Sequence, residues 1–280
     1  MNATTARRSV ETARTLLFVP GSRPDRFGKA VAAGADEVIL DLEDAVSGPD
    51  KPAARQWVRG WLHGTGAAAV RINAGPEQAD DLAALAGVPG LTAVVVAKAE
   101  DPDVLQMVGD RLGVPVLALI ESARGVARAR EVAAAPAVAR LAIGTVDLAL
   151  DLDAEEAWEP LLSARAELVV ASRLAGLPGP VDGVSAGLDD EREVFTATER
   201  ARALGFTGKL CVHPRQIPPA HRALRPSADR VAWATQVLGA TDAGSSAGRV
   251  GTEMVDLPVR LRAERILAAH RAALGGADGD

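Results

Sequence analysis

A second cysteine is missing from these 280 residues, and with it any intramolecular disulfide and any zinc cluster built on paired thiolates. The one present, Cys211 in KLCVH, is expected to be a small core residue rather than a reactive thiol. A basic surplus is missing too: 31 Lys and Arg face 37 Asp and Glu, a formal net charge of −6. Affinity for nucleic acid rests on clustered cations, so no nucleic-acid partner is expected, although local basic patches remain open. Nowhere do about 18 or more apolar residues run uninterrupted, so no membrane-spanning helix is expected. The opening stretch MNATTARRSVET carries a twin arginine, Arg7 and Arg8, but the LLFVP that follows is too short for a translocated segment. The expectation is a disordered tail over residues 1–13 and a cytoplasmic protein with no membrane partner.

What is there is alternation. Short apolar, often β-branched runs alternate with Ala-, Arg- and Glu-rich stretches of helical length, the pattern of βα units around a parallel sheet. Candidate strands cover residues 15–20, 37–42, 68–73, 92–98, 115–120, 140–144, 180–184 and 209–212, about the number that closes a barrel. Helix punctuation agrees. Pro24 stands in the first turn of one helix, and Gly34 stands where its C-cap belongs. A second helix carries Trp57 and Trp61, spaced i,i+4 and expected to pack in a core or interface. After the first strand stands GSRPDR, with no GxGxxG phosphate loop, which argues against a doubly wound nucleotide-binding sheet.

With 48% hydrophobic residues the chain can bury a large core, and no Ser/Gly linker or charge block divides its first 220 residues. The small-residue stretch TDAGSSAGRVG, residues 241–251, reads as a linker or lid, followed by an amphipathic helix over 258–273. The expected architecture is an α/β TIM (β/α)8 barrel over residues 14–226 with a C-terminal helical arm or lid over 227–280.

Reactive groups of such a barrel come from the C-terminal ends of its strands. Here those ends carry Arg23 after PGS, DLED (Asp41, Glu43, Asp44), Arg71 and Asn73, Lys98, Glu121, Asp147 and His213. Glu121 and Asp147, acids after successive strands, suit a hard cation. With neither His nor Cys beside them they fit Mg²⁺ better than zinc. Glu121 has a second reading, as a bystander to a helix capped by Ser122. Gly144 in GTVD would let the backbone approach closely. Arg71 either balances the acids or binds a carboxylate or enolate oxygen. Strand alternation puts Asp41 and Glu43 on one face and Asp44 in the loop, where one of them would orient Arg71. Arg26 and Lys29, spaced i,i+3 after Arg23, form either a phosphate-binding patch or a solvated helix face. His213, before a proline, is a ligand, a base or a structural residue.

The runs LLFVPGSRPDRF, VILDLEDAV, VRIN, IESARG, GTVDLALDL and GKLCVHPRQI, in this order, resemble the citrate lyase beta-subunit-like family of the HpcH/HpaI aldolase superfamily, with malyl-CoA and citramalyl-CoA lyases as relatives. The resemblance covers the chain from about Arg14 onward. It implies a Mg²⁺-dependent barrel enzyme that makes or breaks a carbon–carbon bond beside an acyl-CoA thioester. By position, Glu121 and Asp147 match metal ligands, Arg71 and Glu121 substrate contacts, and Arg23, Arg26 and Lys29 the side that meets the CoA phosphates. Asp256 in EMVDLP stands where an acid on a C-terminal lid acts on a neighbouring subunit. Catalysis is thus expected from Arg71, Glu43, Asp44 and Asp256 in a homo-oligomer, a trimer or hexamer. Ala97 stands where members of the family usually carry proline before the lysine. Two other readings stay open: an aldolase of free 2-oxo acids, and a non-catalytic acyl-CoA-binding subunit that needs a partner.

Overall fold

The computed structural model describes residues 9–185, 187, 190–242, 248–250 and 253–274. Eight parallel strands close into a barrel in sequence order. They are β1 (Thr15–Pro20), β2 (Glu37–Asp41), β3 (Ala68–Ile72), β4 (Leu91–Val96), β5 (Val116–Ile120), β6 (Val138–Ile143), β7 (Val181–Asp182) and β8 (Gly208–Cys211). Between them run α1 (Pro24–Ala32), α2 (Lys51–His63), α3 (Gln78–Leu85), α4 (Pro102–Leu112), α5 (Ala123–Ala127), α6 (Ala129–Ala134), α7 (Thr145–Asp151), α8 (Leu162–Leu174) and α9 (Glu191–Leu204), with α10 (Ile217–Leu224) after β8. The expected barrel is therefore observed.

Period-two alternation sorts the strand residues into two cores. Leu16, Ile39, Ala69, Val95, Leu117, Leu119, Ala142 and Leu210 pack together inside the barrel. Their sequence neighbours Leu17, Val38, Leu40, Val70, Val94 and Ala118 pack outward with Phe27 of α1, Val58 of α2, Leu105 of α4 and Leu168 of α8. This phase positions the site, because Asp41 follows Ile39, Arg71 follows Ala69 and Glu121 follows Leu119 at a spacing of two. Cys211 joins the outer core, where burial pushes its thiol up to about 12, so it is a packing residue.

The helix signals hold at α1. Pro24 opens it, Gly34 follows its end at φ 82°, and buried Phe27 meets Trp61 of α2 edge to face at 5.6 Å. Trp57 is not a core residue of this chain, with 43% of its surface exposed.

The expected tail over residues 1–13 is corrected by its last residues. Val10 and Ala13 are buried in the inner core, and their carbonyls accept from the Arg140 guanidinium at 3.0 and 2.6 Å. Arg140 is the third residue of β6, fully buried, and also donates to Gly179 O and Thr207 Oγ1. Such a group must find acceptors, and the segment supplies two of them while closing the N-terminal end of the barrel. Residues 1–8 lie outside the described residues.

The chain divides into two compact units, the barrel unit ending at His221 and a C-terminal unit beginning at Arg222, rather than after residue 226. In the second, α11 (Ala228–Asp242) and α12 (Leu257–Leu274) accompany an antiparallel pair, β9 (Gly248–Val250) and β10 (Glu253–Val255). Its own core holds Ala234, Val237, Val255, Ala263 and Ile266, and the Arg262 guanidinium lies 5.0 Å over the Trp233 ring. Much of the expected linker, residues 243–247, 251 and 252, lies outside the described residues. Among the described residues no helix is long and apolar enough to cross a membrane.

Candidate active site

At the C-terminal mouth of the barrel a cavity of about 210 Å³ is lined by Phe18, Asp41, Asp44, Arg71, Glu121, Gly144, Thr145 and Asp147, among others. The register between β2 and β3 sets Asp41 directly opposite Arg71. Their side chains then meet as a fork: Arg71 Nε donates to Asp41 Oδ1 at 2.7 Å and Nη2 to Oδ2 at 2.6 Å. Glu43, next on the same face, brings Oε2 to 3.0 Å from Arg71 Nη1, and Phe18 lies 4.8 Å from the guanidinium carbon. Burial works against the charge on Arg71, but Asp41 and then Glu43 hold its pKa above the ordinary arginine value. Arg71 is thus fixed on two sides by carboxylates while still bordering the cavity.

Glu121 directly follows β5 and is buried. Its Oε1 accepts the main-chain N–H of Lys98 at 2.8 Å. On its other side the backbone of Gly144 passes so close that a β-carbon there would lie 2.3 Å from Oε2. Burial pushes the Glu121 carboxyl up to about 7, with the charges of Glu43 and Asp147 adding to the rise and the Lys98 amide and Arg71 opposing it. Burial also raises Glu43, against the pull of Arg71 and Lys98. Ser122 does cap α5, accepting from Gly125 N at 3.0 Å, so capping and an inward-facing Glu121 coexist.

Asp147 lies in the first turn of α7, half-buried and lining the same cavity. Among the described residues no three His, Cys, Asp or Glu side chains gather as a metal cluster. Two carboxylates without nitrogen or sulfur, at a cavity otherwise lined largely by apolar side chains such as Phe18, Leu119 and Leu210, suit a hard cation that keeps waters and takes substrate oxygens. The donor set and the raised affinity of Glu121 for a proton both fit Mg²⁺, which would take the proton's place.

The other expected residues divide. Asp44 is exposed and lines the cavity. Arg23, Arg26 and Lys29 are exposed and do not line it, and Arg23 is engaged by Asp25 through two hydrogen bonds of 2.9 Å. Asp256 lies in the C-terminal unit, where it caps α12 by accepting from Val259 N at 3.1 Å. His213 takes its structural reading: its Nδ1 accepts from Arg215 N at 3.2 Å in a capping box completed by Gln216. Asn73 is scaffold, buried and bonded to Asp81, Leu42 O and Lys51.

Two features escaped the sequence. Lys98, visible only as a polar strand end, sends Nζ to Glu43 Oε1 at 2.7 Å while its amide holds Glu121. A larger cavity, about 530 Å³, lies beyond Thr145 and Val184, where Asp182 accepts from Arg165 at 3.0 Å and from Lys209 at 2.9 Å. Asp182 and Lys209 lie out of phase with the inner core, so this triad joins the barrel wall to α8.

Residues 14–214 match the model of the HpcH/HpaI aldolase/citrate lyase family. A citrate lyase subunit beta-like protein of Mycobacterium tuberculosis is 38% identical over 260 residues, covering 90% of this chain and 93% of that one. An L-malyl-CoA/beta-methylmalyl-CoA lyase of Cereibacter sphaeroides is 30% identical over 297 residues, covering 91% and 93%. The crystal structure of CitE from Mycobacterium tuberculosis in complex with magnesium, acetoacetate and coenzyme A superposes with a TM-score of 0.84 at 35% identity, covering 94% of this chain and 100% of that one.

Proposed function

The chain belongs to the HpcH/HpaI aldolase/citrate lyase family, and from that premise we propose that it is a Mg²⁺-dependent carbon–carbon lyase that cleaves or forms a 3-hydroxyacyl-CoA thioester. The observation that carries the reading is one cavity bordered by a doubly anchored Arg71 and two carboxylates, Glu121 and Asp147. The relative that holds magnesium, acetoacetate and coenzyme A together supports the thioester.

When the 3-hydroxyl of a 3-hydroxyacyl thioester that also bears a carboxylate on C3 gives its proton to a carboxylate base, scission of the C2–C3 bond leaves an enolate on the thioester fragment and the carbonyl of a 2-oxo acid on the other. Glu121 and Asp147 are the residues that would hold the ion. Bound there, Mg²⁺ supplies a template and a Lewis acid for the oxygens of the oxo acid. Arg71 stabilises the enolate oxygen as charge develops: Asp41 takes the Nε and Nη2 edge of its fork, Glu43 faces Nη1, and the remaining Nη N–H groups stay oriented without reorganising during the reaction. Asp44, exposed at the rim, and Glu43 complete the acid side of the cavity. Asp256 of the C-terminal unit is the acid that moves the proton to and from the enolate carbon, acting within a homo-oligomer. Arg26 and Lys29, with Arg23, are the cations on the side that meets the CoA phosphates.

The test is Asp147→Ala. The variant should keep its circular dichroism spectrum and lose Mg²⁺ binding and turnover; full activity in metal-free buffer overturns the reading. The modest cavity volume, about 210 Å³, also suits a free 2-oxo acid as the whole substrate. Binding of CoA thioesters, weakened in Arg23→Ala/Arg26→Ala, separates the two readings.

A further inference from the structure

Lys98 adopts φ 49°, in the left-handed region that residues with a β-carbon avoid; among the described non-glycine residues only Asp153 shares it. The strand around it explains what the conformation does. Pairing of β4 with β5 ends at Val96 opposite Ala118, and the Ala99 amide returns to Leu119 O at 3.0 Å. The Lys98 amide between them is withdrawn from the ladder and donates to Glu121 Oε1 at 2.8 Å. The same residue extends its side chain the other way, Nζ to Glu43 Oε1 at 2.7 Å, and Glu43 faces Arg71 Nη1 at 3.0 Å.

An ion pair between exposed groups contributes little. Here the ammonium is 43% exposed but its partner carboxylate only 6%, so Lys98 and Arg71 are what make a buried Glu43 tolerable. The main chain of one residue therefore holds the carboxylate on the metal side of the cavity, and its side chain holds the carboxylate that orients the arginine.

We propose that Lys98 is a positioning residue that couples the two halves of the site, its left-handed backbone fixing Glu121 and its ammonium fixing Glu43 and, through it, Arg71. The inference rests on the metal and lyase reading above. Its two arms separate by substitution, because glycine keeps the left-handed backbone without the ammonium, whereas a β-branched residue loses both.

The experiment compares Lys98→Gly, Lys98→Val and Lys98→Thr with the wild type, reading Mg²⁺ affinity by calorimetry and kcat on a thioester that the wild type cleaves. Lys98→Gly should bind Mg²⁺ within about threefold of the wild type and lose about tenfold in kcat, the scale of losses when an outer support of a site is removed. Lys98→Val should lose about tenfold in Mg²⁺ affinity as well, and Lys98→Thr, also β-branched, reads the same arm should the valine variant not fold. Equal Mg²⁺ affinities in the glycine variant and in the folded β-branched variant, or wild-type kcat in Lys98→Gly, overturn the proposal. Wild-type protein that binds no Mg²⁺ removes the metal reading and this proposal with it. Wild-type binding that Lys98→Val leaves unchanged removes the proposal alone.

Discussion

Gly144 lies against Glu121 with no room for a side chain: a β-carbon at 144 would be 2.3 Å from Glu121 Oε2 and 2.7 Å from Glu121 Cβ. The φ of Gly144, −96°, is open to any residue, so glycine is required there for space and not for conformation. Gly144→Ala must therefore move the carboxylate. Calorimetry should show Mg²⁺ affinity falling by about 10- to 100-fold in a variant that stays folded. Unchanged affinity would separate Glu121 from the metal.

Asp41 and Arg71 are Cα partners across β2 and β3 and a two-bond ion pair at their side chains. Asp41→Asn removes the charge of one partner and leaves the arginine buried beside a neutral amide. Urea unfolding should show a loss of about 3 kcal/mol, the low end for breaking a buried pair. Turnover should fall by about 10²-fold as Arg71 loses its orientation, while Mg²⁺ affinity changes little.

The raised Glu121 carboxyl makes metal binding depend on pH. A group whose pKa rises from 4.5 to about 7 on folding binds more proton in the native state between those values, so its contribution to stability falls as pH rises through that window. Mg²⁺ competes for the same oxygens, so its affinity should climb with pH up to about 7 and then level off. Thermal melts should show a larger rise on adding Mg²⁺ at about pH 8 than at about pH 5.5; the reverse order would contradict the assignment.

Asp256 belongs to a compact unit separate from the barrel, at the start of α12. If it acts on a neighbouring protomer, mixing inactive Asp256→Ala with inactive Glu121→Ala should restore part of the activity, because some sites receive both intact residues. Mixed oligomers verified by mass that stay inactive would place the acid within its own chain.

Strand alternation made much of the site readable in advance. Ile39, Asp41 and Glu43 share a face by spacing alone, as do Ala69 with Arg71 and Leu119 with Glu121, so the inward acids and arginine follow from period two. Which acid grips Arg71 was not readable, because it depends on the β2–β3 register. The role of Lys98 was hidden for a different reason: a left-handed lysine breaks the local preference that sequence reasoning uses, and nothing in VVVAKAED marks the turn. Residues 9–13 read as polar tail because the acceptor demand of Arg140 arises more than a hundred positions later in the chain. Arg23 read as one cation of a patch because the partner that engages it, Asp25, lies only two residues on, where spacing alone does not announce a pair.

The most direct measurement incubates the purified protein, stripped of metal and then resupplied with Mg²⁺, with malyl-, citramalyl- and citryl-CoA, and identifies both products by mass spectrometry. At least one thioester should give a shorter acyl-CoA and a 2-oxo acid in equal amounts, with EDTA abolishing the reaction and Mg²⁺ restoring it. Release of free CoA with the hydroxy acid intact, cleavage that ignores EDTA, or no cleavage of any of the three would contradict the account.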